Sequence, residues 1–330
     1  MTNPPGISNV VTNVVYEGPL WDRFRSIFEP ANITRIAPGD MAQMLQSLGG
    51  AEVAILSDLP APSEIRGRQL RWVHITHAGL DRVAHPEILD RGIRLSGSAG
   101  YSVETLAEHA MFFMLSLSCR AMDLFASQRR SAWEKSGREH LRSLYKQTVG
   151  IVGLGHIGQA LATRCEAMGM RVLGFRRSDG LDVPGVHKIY CEETGDRLAD
   201  MLAETDYVVL AVPLTNETHG LIGAKELAQM KPTAHLVNIA RGNVVDEPAL
   251  IRALSDGKIA GAGLDVFSQE PLPSSSALWQ LPNVIITPHT SPREPDRDDR
   301  AVDLIAENYR RFLSGEELLN ELTQSNLYTP

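Results

Sequence analysis

From residue 149 onward, short apolar runs alternate with longer amphipathic stretches. The runs fall at 149–152, 171–175, 207–212, 235–239, 261–266 and 284–287. Runs of this length, bounded by polar and glycine-bearing segments, predict buried strands, and their alternation with helical stretches predicts a parallel sheet covered by helices. The helix punctuation agrees: Asp246 can cap a helix beginning near Pro248, and Gly257 sits where that helix should stop. The earlier part of the chain repeats the pattern more loosely, with strands expected at 53–56, 72–75 and 93–96. A helix over 103–119 should lead into the later unit, and one over 297–313 should return to the earlier one. The expected division is therefore 1–102 with 298–330 for a discontinuous smaller domain and 103–297 for the larger. Pro292, Pro295 and the charged run 296–300 read as a linker.

Length and charge narrow the function classes. At 330 residues the chain accommodates two domains, each with its own core, and two domains imply a cleft. The net charge of −8 is spread along the chain rather than gathered into a patch, so no nucleic acid partner is expected. Cys119, Cys165 and Cys191 are odd in number and widely spaced, which predicts free thiols, a reducing cytoplasmic compartment and no metal site. The opening residues have neither the basic start nor the apolar core of a secretory signal. The most apolar helical run, 106–119, is too short for a bilayer and contains Glu108 and His109, so no membrane partner is expected.

The sharpest local signal is Val149-Gly150-Ile151-Val152-Gly153-Leu154-Gly155-His156-Ile157-Gly158, a strand running into glycines and then into a helix expected over 159–168. Gly153 permits a tight turn, Gly155 lets a pyrophosphate approach the backbone, and Gly158 allows close packing of helix on strand. With His156 and Ile157 between them, they place phosphates against free amides at the positive end of a helix. The context of strand, helix and further strand makes this a dinucleotide site. Roughly 20 residues past the first glycine, where NAD-binding proteins carry an acid for the ribose diol, stand Arg176, Arg177 and Ser178. These suit a 2′-phosphate, so NADP is preferred, with NAD the alternative if the arginines are merely solvated surface residues.

Ligands of such a sheet bind beyond the carboxyl ends of its strands, and three reactive residues sit there: Arg241, Glu270 and His289. Each alone reads as a salt-bridging arginine, a loop carboxylate and a structural histidine. Together beside a dinucleotide site they meet the needs of 2-keto acid chemistry. Arginine offers a planar fork for the carboxylate. Histidine, with an ordinary pKa of about 6.5, exchanges a proton with the carbonyl oxygen near neutrality, and a carboxylate partner favours its protonated form.

The chain resembles the D-isomer-specific 2-hydroxyacid dehydrogenase family, including glyoxylate/hydroxypyruvate reductases and phosphoglycerate dehydrogenases. The similarity covers residues 74–317. Besides the glycine motif it rests on Pro213-Leu214-Thr215-Asn216-Glu217-Thr218 and Asn238-Ile239-Ala240-Arg241-Gly242-Asn243-Val244-Val245-Asp246-Glu247. Asp265-Val266-Phe267-Ser268-Gln269-Glu270-Pro271-Leu272-Pro273 and Thr287-Pro288-His289 complete it. The resemblance implies an α/β fold of two Rossmann-like domains, each a doubly wound parallel sheet, with a cleft between them. It implies hydride transfer between NAD(P)H and a 2-keto acid/D-2-hydroxy acid pair, with Arg241 binding substrate, His289 as acid/base and Glu270 as its partner. Asp265 would lie near the nicotinamide amide; Val212, Pro213, Thr218, Ile239 and Ala240 would line the cofactor site. The backbone of Ala78 and Gly79, beside His77, would hold the substrate carboxylate. A homodimer through the dinucleotide domain is implied, with residues 108–117 as either its surface or core packing. His77 and Tyr101 stand where members of the family vary, so the resemblance leaves the particular acid open. A nicotinamide-sensing corepressor and dehydrogenases of formate or phosphite share the fold; without a basic patch or recognition module, the enzyme reading leads.

Overall fold

Strands that are buried on both faces run as unbroken apolar segments, and two parallel sheets form from them. The structure is a computed structural model and describes residues 6–65, 67–83, 85–133, 141–291, 296–324 and 327–329. Pro292 and Pro295 of the expected linker lie outside these residues. The chain divides into two compact units, Met1–Tyr101 with Glu294–Pro330, and Ser102–Arg293.

The first unit carries β1 (Asn9–Thr12), α1 (Gly18–Ser26), β2 (Asn32–Arg35), α2 (Met41–Leu48), β3 (Val53–Leu56), β4 (Trp72–Ile75), α3 (Pro86–Asp90) and β5 (Arg94–Gly97). Its five strands are parallel in the order β2-β1-β3-β4-β5. One face is filled by an aromatic cluster in which Trp72 stacks on Phe312 at 5.4 Å and Phe28 meets Tyr309 edge-on at 4.8 Å. The other face packs aliphatic residues, among them Leu48, Val73, Ile88 and Leu95.

In the second unit, α4 (Val103–Ser118) and α5 (Ala121–Arg129) precede β6 (Thr148–Val152), α6 (His156–Ala167), β7 (Arg171–Arg176) and β8 (Lys188–Cys191). Then come α7 (Leu198–Glu204), β9 (Tyr207–Leu210), α8 (Ala224–Leu227), β10 (His235–Asn238), α9 (Glu247–Ser255), β11 (Gly261–Leu264) and β12 (Val284–Ile286). The seven parallel strands lie in the order β12-β11-β10-β9-β6-β7-β8. The order reverses between β6 and β9, and the crevice beyond their carboxyl ends is where a doubly wound sheet takes its ligand.

Strands β1, β2 and β8 were not expected from the pattern. β2 and β8 are sheet edges, so Asn32-Ile33-Thr34-Arg35 and Lys188-Ile189-Tyr190-Cys191 keep polar residues that blur the strand signal. The charged run does not continue a linker either: residues 297–300 form the first turn of α10 (Arg297–Ser314), where Asp298 and Asp299 complement the helix dipole. That helix buries Ala301, Val302, Ile305, Tyr309 and Phe312 along one stripe in the first unit. Helix α6 starts at His156, three residues before the expected start at Gln159, because the glycine turn itself opens the helix.

The expected cap at Asp246 is formed, its side chain accepting from the Ala249 amide at 2.9 Å. Replacing Asp246 with alanine should cost about 1 kcal/mol and lower the melting temperature by about 2–4 °C. An unchanged thermal melt would show that the cap contributes nothing. Among the described residues no single helix is long and apolar enough to cross a membrane; α4 and α5 reach the length only across a 68° bend.

Candidate active site

Strand β6 ends in the glycine turn. Gly153 has φ +97°, and a Cβ there would stand 2.6 Å from the Ala211 carbonyl oxygen; at Gly158 it would fall 2.0 Å from the Gly153 oxygen. Neither position admits a side chain. Around Gly155, in contrast, a Cβ would meet nothing within 4 Å. Helix α6 begins there with no side chain capping its first amides, so the turn offers open space against unpartnered helix donors, as a pyrophosphate requires. Val212 lies against Gly153 and Pro213 follows it, exposed, while Ile239 and Ala240 are buried at the end of β10. The hydroxyl of Thr218 donates to the Pro213 carbonyl at 2.6 Å, which makes it a clasp for the 213–218 loop.

The two arginines after β7 differ. Arg176 turns its guanidinium inward to the carbonyls of Gly180 and, at 2.8 Å, Leu181; it holds its own loop rather than standing open to a ligand. Arg177 and Ser178 are exposed. The Glu217 carboxyl is held below its ordinary range chiefly by the hydrogen bond from the Thr215 hydroxyl, with the charge of Arg177 a smaller cause.

Arg241, Glu270 and His289 follow β10, β11 and β12, three neighbouring strands of one sheet. Asn238 sets the backbone of the first: its side chain donates to the Arg241 carbonyl at 2.9 Å and accepts from the Ala240 amide at 3.0 Å. Arg241 itself donates to the Ala240 carbonyl at 2.7 Å. His289 Nδ1 lies 2.8 Å from Glu270 Oε2, and the other Glu270 oxygen accepts from the Phe267 amide at 3.0 Å. A carboxylate only accepts, so the proton between them sits on Nδ1, and Nε2 is left to face a ligand. The His289 side chain keeps 39% of its surface exposed.

Asp265 is fully buried directly after β11. Its Oδ1 accepts from Thr287 Oγ1 at 2.6 Å and the Thr290 amide at 3.0 Å, and its Oδ2 from the Ser291 amide and hydroxyl at 3.2 and 2.5 Å. Its carbonyl takes the His289 amide at 2.9 Å. The turn thus holds His289 at φ +52°, a left-handed conformation costly to a side chain with a Cβ and kept only where the surroundings enforce it. Sequence reasoning put Asp265 beside the nicotinamide and missed this clamp, along with Asn238, Ser291 and His109. The signal was weak: single polar residues at strand ends and one histidine in an apolar helix.

In the first unit, His77, Ala78 and Gly79 follow β4. The His77 carbonyl accepts from the Ser98 amide at 3.0 Å. Beneath it His74 is wholly buried between the hydroxyls of Ser96 and Ser98, each at 2.9 Å, and burial drives its pKa down to about 3. Tyr101 is tied to Arg297, whose guanidinium donates to its hydroxyl at 3.0 Å. Among the described residues no group of three or more His, Cys, Asp or Glu side chains is arranged to hold a metal ion.

Residues 111–291 match the family model for the D-isomer specific 2-hydroxyacid dehydrogenase, NAD binding domain. The chain belongs to this family of D-isomer specific 2-hydroxyacid dehydrogenases. The glyoxylate reductase of Korarchaeum cryptofilum (strain OPF8) is 37% identical over 274 residues, 81% of this chain and 80% of that protein. The glycerate dehydrogenase of Methylorubrum extorquens is 32% identical over 283 residues, 83% of this chain and 86% of that protein. A 2-hydroxyacid dehydrogenase from Xanthobacter autotrophicus Py2, solved with NADPH and MES, superimposes with a TM-score of 0.81 at 30% identity, over 96% of this chain and 98% of that one. As a family member the chain is an NAD(P)-dependent oxidoreductase, and the unit Ser102–Arg293 contains the matched dinucleotide-binding region.

Proposed function

We propose that this dehydrogenase reduces small 2-keto acids of the glyoxylate and hydroxypyruvate class to D-2-hydroxy acids, with NADPH preferred over NADH. The observation that carries the reading is the His289–Glu270 pair at 2.8 Å, one strand away from Arg241 along the edge of the sheet that bears the glycine turn. The glyoxylate reductase and glycerate dehydrogenase relatives support the substrate class.

When bound, the dinucleotide supplies the hydride to the carbonyl carbon. The Arg241 guanidinium holds the substrate carboxylate and polarises the adjacent carbonyl. His289 donates the Nε2 proton to the carbonyl oxygen as hydride arrives, while Glu270 keeps Nδ1 protonated and the ring oriented. In oxidation the same nitrogen takes the proton back. In this reading the domains are 1–102 with 298–330 and 103–297, the second binding the dinucleotide, and His77, Ala78 and Gly79 take part in substrate recognition.

Initial rates with NADPH and NADH against glyoxylate, hydroxypyruvate, pyruvate and phenylpyruvate test the substrate class. Turnover of the first two supports it, and silence with both would sink it. For cofactor choice, the inward turn of Arg176 leaves Arg177 and Ser178 for the 2′-phosphate. Arg177→Ala should raise KM for NADPH about 10-fold to 100-fold, the loss of one charge-assisted hydrogen bond, with little change for NADH. Equal losses with both dinucleotides would remove Arg177 from that role.

A homodimer fits one face of α4 and α5. Ala107, Ala110, Phe113 and Met114 enter the core, whereas Phe112, Leu115, Leu124 and Phe125 remain exposed and offer apolar surface for a second copy to cover. Three free cysteines support a cytoplasmic setting.

A further inference from the structure

The clamp on the His289 turn has a second layer that reaches into α4. His109 Nε2 lies 2.9 Å from Thr287 Oγ1 and 3.7 Å from Asp265 Oδ1. Thr287 has a single hydroxyl proton, and the buried carboxylate 2.6 Å away takes it. The contact with His109 is then a donation from the ring to the threonine oxygen, which fixes the His109 proton on Nε2. Burial lowers the pKa of this histidine, more than the charge of Asp265 raises it, so the ring works as a neutral donor. Phe113 packs edge-on against it at 4.8 Å and Phe112 lies at 5.5 Å, which sets the ring plane.

We infer that His109 is a positioning residue for the acid/base turn: its Nε2 proton, acting through Thr287, anchors the Asp265 carboxylate and with it the left-handed backbone that presents His289. Three features support this. The chain of donors runs in one direction, from ring to hydroxyl to carboxylate, and each bond polarises the next. Its origin is a helix anchored in the core, since Ala110, Phe113 and Met114 around His109 are buried. Its terminus is the one carboxylate that also receives the amides of Thr290 and Ser291. A displacement of about 1 Å at an acid/base group is enough to cost a large factor in rate. The inference rests on His289 being the acid/base.

Two pairs of substitutions test it. His109→Leu removes the donor and His109→Gln keeps an N–H at the same reach; Thr287→Val removes the hydroxyl and Thr287→Ser keeps it. His109→Leu and Thr287→Val should each lower kcat by about 10-fold or more, while the NADPH dissociation constant, read from fluorescence quenching without turnover, moves less than about 3-fold. The Gln and Ser variants should recover most of the rate. The double variant His109→Leu/Thr287→Val should be no slower than the slower single one, because both break the same chain. A Gln variant as slow as the Leu variant, or losses that multiply in the double variant, would overturn the proposal in favour of plain packing. His289→Ala separates the two readings. If it abolishes turnover while His109→Leu behaves as wild type, only the role of His109 falls; if it stays active, the acid/base assignment falls first.

Discussion

Replacing His289 with alanine is expected to lower kcat by about 10²-fold to 10⁴-fold, the range for loss of a positioned general acid. The dissociation constant for the dinucleotide should stay within about 2-fold, because the glycine turn and the 176–178 segment do not depend on the imidazole. The geometry gives the expectation its direction. Glu270 occupies Nδ1 at 2.8 Å, so a single nitrogen remains to exchange a proton with substrate. No other titratable side chain is hydrogen-bonded to Glu270 among the described residues. Glu270→Gln should produce a smaller loss, since an amide still orients the ring but stabilises its charged form less. Steady-state rates across pH, with cofactor affinity measured in parallel, check both. A kcat within a few-fold of wild type for His289→Ala would take this residue out of the acid/base role.

The second large effect concerns Arg241. Arg241→Gln should reduce kcat/KM for a 2-keto acid by about 30-fold to 5,000-fold, which corresponds to the roughly 2–5 kcal/mol that removing one partner of a charge pair costs. Arg241→Lys keeps the charge but loses the planar fork and should recover only part of this. The lysine would also lose the anchoring bond from the guanidinium to the Ala240 carbonyl, which at 2.7 Å sets the side chain's direction. Kinetics with glyoxylate and hydroxypyruvate read the loss directly. Restoration of full activity by lysine would mean that the site needs only positive charge there.

Arg241, Glu270 and His289 could be singled out in the chain because each follows a strand of the second sheet. The apolar runs at 53–56 and 72–75 match β3 and β4, and the central strands of the second sheet differ from expectation only at their ends. Each is buried on both faces, which leaves continuous apolar sequence. Strands β2 and β8 were missed because an edge strand needs less burial, and its polar residues look like loop. The glycine turn was readable because each glycine answers a separate steric demand, visible here as impossible Cβ positions at Gly153 and Gly158 and open space at Gly155.

What resisted reading was partnership. The chain spells Arg176 and Arg177 side by side, yet one folds back onto Gly180 and Leu181 while the other faces outward. Successive residues leaving a strand point to opposite sides, and only the loop that follows decides which side meets a ligand. His109 shows the same limit. In sequence it is a histidine beside Glu108 in a largely apolar helix, 178 positions from Thr287, and only the packing of α4 against the sheet brings the two together. Helix α4 was read as either core packing or a dimer surface; Ala107, Ala110, Phe113 and Met114 are core, while Phe112 and Leu115 stay exposed.

The proposed function turns on transfer of hydride to the C2 carbonyl carbon of a small keto acid. The decisive measurement is a reaction of hydroxypyruvate with NADPH carrying deuterium at both C4 positions of the nicotinamide, followed by analysis of the product. The expected product is glycerate of D configuration carrying one deuterium at C2. A product without deuterium at that carbon, or of the L configuration, would contradict the proposed function.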